Sequence, residues 1–302
     1  MSKTLVTHNG KFHADDVFAV ATFLLVNNQN NDWQVVRSRD EEVIKKADAV
    51  IDVGGEYDIA TLRFDHHQVG GAGDRGGAVP FASFGLVWHL FGEMVCDDKR
   101  IADEIDRKLV TPVDANDVGV SLVTPIYDDL QSYTISNIIE DNNITWKEES
   151  SSADGGDSLR YIQFMKMVGL ATDLIKRQII RTRDKFDAKQ LVENAYDAAL
   201  DKRVVIMDNY YPWQDVIMGY TEPLLVVYPD AKHEKWSLTT VPKNKGSFES
   251  RMLLPVAWAG LRDSELATLT NVPDAVFCHN ARFLAVAKSK EGILELAKKA
   301  LD

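Results

Sequence analysis

Cysteine is nearly absent. Cys96 and Cys278 are the only two in 302 residues, far apart and in no ligand spacing. That argues against a disulfide framework and for a reducing interior. Long apolar runs are missing too. The longest near the N-terminus, Val17 to Val26, has ten residues, too short to span a bilayer. The residues ahead of His8 are expected to leave no room for a signal or transit peptide. These features predict an intracellular protein, cytoplasmic by default, with no membrane partner. Positive charge is also short: the formal net charge is −12, so the chain does not bind nucleic acid by bulk electrostatics. The deficit is uneven. Residues 231–302 hold eleven basic and eight acidic side chains, a local +3, which leaves −15 for the first 230. No Ser-His-Asp or reactive-cysteine arrangement stands out. Cys278 adjoins His279, but strand alternation would turn them to opposite faces.

What is present is a concentration of histidine and aspartate. Of only seven histidines, His66 and His67 stand side by side behind Asp65. His8 and His13 lie upstream, with Asp15 and Asp16 close behind. Thr4 to Thr7 reads as a strand. Ala14 to Val26 reads as a helix, with Val17, Ala21, Leu24 and Leu25 at helical spacing. The alternation then repeats through a strand at Gln34 to Arg37, a short charged helix at Glu41 to Lys46, and strands at Ala49 to Val53 and Leu62 to Asp65. Helices are expected at Phe81 to Phe91 and Ile101 to Val110, with His89 packed in the first. Asp114 and Asp117 follow, in a segment whose plain reading is a cap or turn. This alternation predicts an α/β fold with a mainly parallel sheet. The candidate ligands then fall near strand ends, where open α/β sheets bind their ligands.

Gly70 to Gly77 contains five glycines in eight residues, without the Gly-Lys-Ser/Thr ending of a phosphate loop. It reads as a lid, a phosphate-contacting loop or a plain connection. Glu148 to Asp157 reads as a polar loop, and Leu159 to about Ala199 as long helical structure. From Asp201 two hairpins are expected, Leu224–Tyr228 with Trp236–Val241 and Ala275–His279 with Phe283–Ala287. A last helix is capped by Ser289. Two domains follow: residues 1–200, metal-binding and catalytic with the long helical connection, and residues 201–302, a smaller α+β substrate-binding domain. Basic and aromatic residues alternate in the latter, as suits a phosphate backbone with stacked bases.

Mixed His and Asp ligands without cysteine suit a divalent first-row ion such as Mn²⁺ better than structural zinc. Mg²⁺ also fits, though it prefers oxygen and water. The acids and histidines exceed what one ion needs, and Asp52 could bridge two. Two such ions activate water for in-line displacement at phosphorus.

Asp65-His66-His67 resembles the signature of the DHH phosphoesterase superfamily, which includes RecJ-type nucleases and family II inorganic pyrophosphatases. The first cluster, the isolated Asp52, the triplet and the later Asp114 occur in that superfamily's motif order. One departure is His13, where the superfamily usually has Asp. A closer resemblance covers nearly the whole chain. Thr7-His8-Asn9-Gly10-Lys11-Phe12-His13-Ala14-Asp15-Asp16, Asp52-Val53-Gly54-Gly55-Glu56-Tyr57-Asp58, Phe64-Asp65-His66-His67-Gln68 and Trp258-Ala259-Gly260-Leu261-Arg262-Asp263 are similar to the Myg-type family (melanocyte proliferating gene product and its relatives). The C-terminal His279-Asn280-Ala281-Arg282-Phe283 lacks that family's glycine-rich turn.

The resemblance implies a DHH-type N-terminal domain and a metal-dependent hydrolase, a 3′–5′ exoribonuclease acting on RNA or a short oligonucleotide in the cleft between domains. It implies one metal on His8, His13 and Asp52, and a second on Asp15, Asp52, His66 and Asp114. Asp16 could exchange roles with Asp15. His67 would face the phosphate or the attacking water, with Asp65 orienting the pair. Arg251, Arg262, His279 and Arg282 would contact substrate phosphates. Two rivals stay open: a hydrolase of small phosphoesters such as pyrophosphate or a dinucleotide, and a non-enzymatic, metal-stabilised regulatory protein. A homodimer is compatible with the sequence.

Overall fold

The computed structural model describes residues 2–27, 32–77, 79–127 and 129–302. The chain divides into two compact units, Met1–Thr182 and Arg183–Asp302. Both are mixed α/β, each with a five-stranded sheet.

In the first unit, β1 (Lys3–Thr7), β2 (Trp33–Arg37), β3 (Ala49–Ile51), β4 (Tyr57–Asp58) and β5 (Arg63–Phe64) form a sheet in the order β2-β1-β3-β5-β4. Four of the strands run parallel, and β4 closes one edge antiparallel to β5. This two-residue β4 was not expected from the sequence, because its only partner strand is equally short. The chain leaves β1 toward β2 and leaves β3 toward β5. Their C-terminal ends therefore flank a topological switch point, the usual ligand crevice of such sheets.

Helix α1 (Ala14–Asn27) is buried without interruption from Ala14 to Phe23. Past its acidic first turn it is almost wholly apolar, and such a helix must be covered on all sides; α3 (Ser83–Cys96) covers much of it. Phe18 stacks on Phe84 at 5.2 Å and Phe23 meets Phe91 edge-on at 5.7 Å. Each such buried side chain stabilises by roughly 1.5–3 kcal/mol. In sequence between them comes α2 (Glu41–Lys46), whose N-cap Asp40 accepts from the amides of Glu42 and Val43. Acids in its first turn and lysines in its last suit the helix dipole. Helix α3 begins two residues later than expected and runs on to Cys96. His89 lies exposed on it rather than packed, with Phe81 the nearest ring at 5.8 Å.

The expected helix over Ile101–Val110 is divided. It comprises α4 (Lys99–Ile105), a π-helical turn at Asp106–Val110 and α5 (Thr111–Asp117). Pro112 is accommodated near the start of α5. Asp114 is thus on a helix, not at a strand end or in a turn. Capping boxes at Thr134 and Thr145 start α6 (Ile135–Glu140) and α7 (Trp146–Ser151). Part of the segment expected as a polar loop is therefore helical. Helix α8 (Asp157–Ala198) follows as one continuous element.

In the second unit, β6 (Val204–Ile206), β7 (Leu225–Pro229), β8 (Trp236–Thr240), β9 (Ala275–Cys278) and β10 (Leu284–Ala287) form a sheet in the order β6-β7-β8-β10-β9. The two expected hairpins are its antiparallel part, and β6 adds parallel to β7. With α9 (Gln214–Ile217), α10 (Asp263–Thr270) and α11 (Lys290–Leu301) the unit encloses its own core, including Leu225, Leu238, Leu266 and Ile293. No helix among the described residues is long and apolar enough to cross a membrane.

Candidate metal centre

Strand β1 ends at Thr7, so the next residue, His8, is delivered to the crevice. Its Nδ1–H donates to the Asn9 carbonyl at 3.0 Å, which leaves Nε2 turned inward. That nitrogen lies 3.1 Å from Asp16 Oδ2 and 3.4 Å from Asp52 Oδ2. His13 is exposed; its ring lies 5.5 Å from the His8 ring, and its amide donates to Asp16 Oδ1 at 2.8 Å. His8, His13 and Asp52 converge closely enough to share one ion.

Asp52 follows the last residue of β3 in a left-handed conformation, φ 58°. Aspartate tolerates that region better than most residues, and such outliers cluster at functional sites. Asp52 Oδ2 faces His8, while Oδ1 lies 3.5 Å from His66 Nε2 and accepts from Ser83 Oγ at 3.2 Å. His66 Nε2 is also 3.2 Å from Asp117 Oδ2, and Asp15, His66 and Asp117 form a second convergent set. Asp52 thus has one oxygen toward each set.

Asp65 accepts from the amides of Gly55, His66 and His67 at 2.5, 2.8 and 3.1 Å, and from His67 Nδ1 at 2.7 Å. Gly55 reaches it from a left-handed turn, φ 68°, where a side chain would be strained. The bond to Asp65 orients His67, whose side chain is 62% exposed, whereas that of His66 is 10% exposed. The adjacent histidines therefore occupy different environments.

The acids are buried in excess of the cations. Asp15, Asp16, Asp52, Asp65 and Asp114 are each at most 3% exposed. Burial, then the charges of Asp52, Asp117 and Asp114, pushes Asp15 well above the carboxylate range. Burial works against charge on His8, but Asp16 and Asp52 outweigh it and raise it to about 10. His66 is likewise raised to about 10, by Asp117 and Asp52 against burial. Asp52, despite burial, is pulled down by His66 and His8.

These approaches lack hydrogen-bond geometry: the buried His66 Nε2 and Asp16 Oδ2 have no hydrogen-bond partner among the described residues. Ligand atoms ~2.1 Å from a shared ion at right angles sit ~3.0 Å apart. Polar atoms that converge at 3.1–3.5 Å without bonding one another come near that spacing. The His and Asp clusters fit a metal ion.

Asp114 stands apart from both sets. Its Oδ1 accepts from the Gly85 amide at 3.0 Å and its Oδ2 lies 2.7 Å from Arg75 Nη2. Burial raises its pKa to about 7 against the pull of Arg75. A Cβ at Gly85 would lie 2.0 Å from Asp114 Oδ2, so only glycine permits this approach. Arg75 comes from the glycine-rich loop, pairs with Asp106 and lies 4.4 Å from the Phe81 ring. Three residues on along α5, Asp117 takes the position facing His66. Asp15, for its part, accepts from the amides of Ser83 and Phe84 at 3.0 and 2.7 Å.

The family model described as "Uncharacterised protein family (UPF0160)", of the MYG1 type, matches residues 4–301. The chain belongs to this MYG1 family. It is 30% identical to the MYG1 protein YER156C of Saccharomyces cerevisiae, over 100% of this chain and 96% of that one. It is 28% identical to the MYG1 protein C694.04c of Schizosaccharomyces pombe, over 99% and 97%. It is 29% identical to a Homo sapiens protein named MYG1 exonuclease, over 98% of this chain and 85% of that one. No solved structure matches the chain.

The basic residues expected to meet substrate in this family member have varied surroundings. Arg251 donates to the carbonyls of Met218, Thr221 and Pro223 at 3.0–3.3 Å. Arg282 donates to the Leu254 carbonyl at 3.3 Å. Arg262 is exposed, its guanidinium 4.4 Å from the Phe277 ring. His279 accepts from the Ala281 amide through Nδ1, with the Phe283 ring at 4.4 Å.

Proposed function

We propose that this protein is a metal-dependent phosphodiesterase of DHH type, a 3′–5′ exoribonuclease that uses two Mn²⁺ ions, with Mg²⁺ as the weaker alternative. The carrying observation is Asp52, buried, with one carboxylate oxygen toward His8 and the other toward His66. His8, His13 and Asp52 would hold one ion; Asp52, His66, Asp15 and Asp117 would hold the other. Asp117 takes the role that the family resemblance assigned to Asp114. When bound, the ions would supply an activated water and charge neutralisation at the scissile phosphate. Asp65 fixes the His67 ring through Nδ1 and leaves Nε2 for a substrate phosphate oxygen. Arg262 and His279 are the phosphate contacts in the second unit; Arg251 and Arg282 chiefly hold its backbone. The relatives named exonuclease support a nucleic-acid substrate.

The test is Asp52→Asn, which keeps shape and tolerates the same backbone. The expected result is a folded protein with metal affinity and RNA hydrolysis each reduced by more than ~100-fold, beyond the 10–100-fold usual for residues that merely support ligands. Calorimetry with Mn²⁺ and product analysis on 3′- and 5′-labelled RNA, a dinucleotide and pyrophosphate read both. Full Mn²⁺-dependent activity in the variant would refute the reading. Turnover of pyrophosphate or dinucleotide with long RNA untouched would replace it with a small-phosphoester hydrolase.

A further inference from the structure

Arg37 ends β2 beside the loop that follows His8. Its guanidinium lies 4.7 Å from the Phe164 ring and 5.6 Å from the Phe12 ring. Nη2 donates to the Gly10 carbonyl at 3.0 Å. Nε is buried and has no hydrogen-bond partner among the described residues. Among the described residues no carboxylate makes an ion pair with Arg37, although buried charges are ordinarily paired. Burial lowers its pKa, while the charge of Asp16, in the metal centre, opposes that effect.

Arg37 lines a cavity of about 360 Å³ with Asn9, Gly10, Arg160, Tyr161 and one acid, Asp157. Its size is toward the lower end of small-ligand sites, roughly 300–1,000 Å³. The Arg160 side chain is 13% exposed and pairs with Glu149 and Asp157, whose own side chains are 51% and 76% exposed. Nη1 also donates to the Gly155 carbonyl at 3.1 Å, and a phosphate would compete with the two exposed carboxylates, whose pairs contribute little. The N-terminus of α8 is not the anion-binding element, because Asp154 already accepts from the amides of Gly156 and Ser158.

We propose that this cavity is a phosphate subsite, in which Arg37 and Arg160 bind a nucleotide phosphate next to the metal centre. The proposal rests on the nuclease reading for its substrate class. Asn9 and Gly10, which form its wall, directly follow the metal-site residue His8 in sequence. A guanidinium suits phosphate because its N–H groups are planar and fixed. Here the rings of Phe12 and Phe164 hold it at the cavity wall. The phosphate could be the next diester along an oligonucleotide or the phosphate of a free mononucleotide.

The test is calorimetric binding of AMP and of inorganic phosphate to the full chain with metal removed by chelation, which needs no turnover. Arg37→Met, which keeps apolar bulk between the rings, should weaken AMP binding about 10–100-fold, as expected for a charged hydrogen bond. Arg160→Gln should weaken it less but measurably, and it decides the matter if Arg37→Met does not fold. With metal restored, KM for a 5′-phosphorylated dinucleotide should rise in both variants, while KM for the unphosphorylated one stays near wild type if the bound group is a terminal phosphate. Equal rises for both dinucleotides would assign the site to the internal diester. No binding to wild type, or binding unchanged in both variants, overturns the subsite. Arginine-dependent binding without turnover of any phosphodiester would leave the subsite standing and sink the nuclease. Turnover with unaltered binding and KM in the variants would do the reverse.

Discussion

The two units contrast in how the buried histidine–acid cluster of one and the arginines Arg251 and Arg282 of the other are engaged. In the first, His8, Asp16, Asp52, His66 and Asp117 converge at 3.1–3.5 Å without hydrogen-bonding one another, and His66 Nε2 and Asp16 Oδ2 have no hydrogen-bond partner among the described residues. In the second, Arg251 and Arg282 donate to backbone carbonyls of their own unit. The difference is one of availability. A side chain already engaged by its own backbone stabilises the fold, whereas one held in place with an unengaged atom is ready for a ligand. Residue type alone does not separate the two cases.

The largest expected effect that could break this comparison is on pH dependence. In metal-free protein His8 and His66 have pKa values raised from the ordinary 6.5 to about 10. Their contribution to stability is fully present below about 6.5 and is lost as pH rises through about 10. Protection factors from hydrogen exchange should therefore fall over that interval in peptides from residues 1–182 but not in those from 183–302. Saturating Mn²⁺ should abolish the fall, because the ion replaces the protons. Parallel losses in both units, or no effect of metal, would contradict the contrast.

Next in size, Asp117→Asn should lower Mn²⁺ affinity by at least ~10-fold. Asp114→Asn should leave affinity within about threefold and mainly alter thermal stability, through its contacts with Arg75 and Gly85. Calorimetry on both variants sharpens the assignment, and the opposite order would restore Asp114 as the ligand. The smallest effects concern the second unit. Arg251→Ala should cost about 0.5–1.5 kcal/mol by removing hydrogen bonds to exposed and half-buried carbonyls, with kcat/KM on RNA unchanged per folded molecule. Arg262→Ala should cost less than about 1 kcal/mol of stability yet raise KM for RNA and flatten its salt dependence. Chemical denaturation combined with salt-dependent kinetics reads both.

Much of the first unit was legible in the sequence. Helical and alternating patterns located α1, α2, β1 and β3, and the strand ends carried His8, Asp52 and the Asp65-His66-His67 triplet to one crevice. That Asp117 and not Asp114 faces His66 was harder to read. The two sit three residues apart on one helix, and the choice between them depends on Arg75 arriving from a loop more than thirty residues earlier. The glycine at 85 that admits the Asp114 carboxylate is silent without coordinates. Arg37 gave no signal either, since the rings of Phe12 and Phe164 around it come from distant parts of the sequence. In the second unit the hairpins were legible from alternation. The carbonyls that Arg251 meets come from a loop about thirty residues away and could not be inferred.

The start of α3 has a consequence for folding order. Its N-cap, Ala82, provides no side-chain cap. The amides of Ser83, Phe84 and Gly85 instead donate to Asp15 and Asp114, between 29 and 69 residues distant in sequence. A turn capped by distant side chains gains little until those segments have docked, because closing the intervening loops costs entropy first. The first turn of α3 is therefore expected to form late, after α1 and α5 are in place, and substitutions there should change the unfolding rate more than the folding rate.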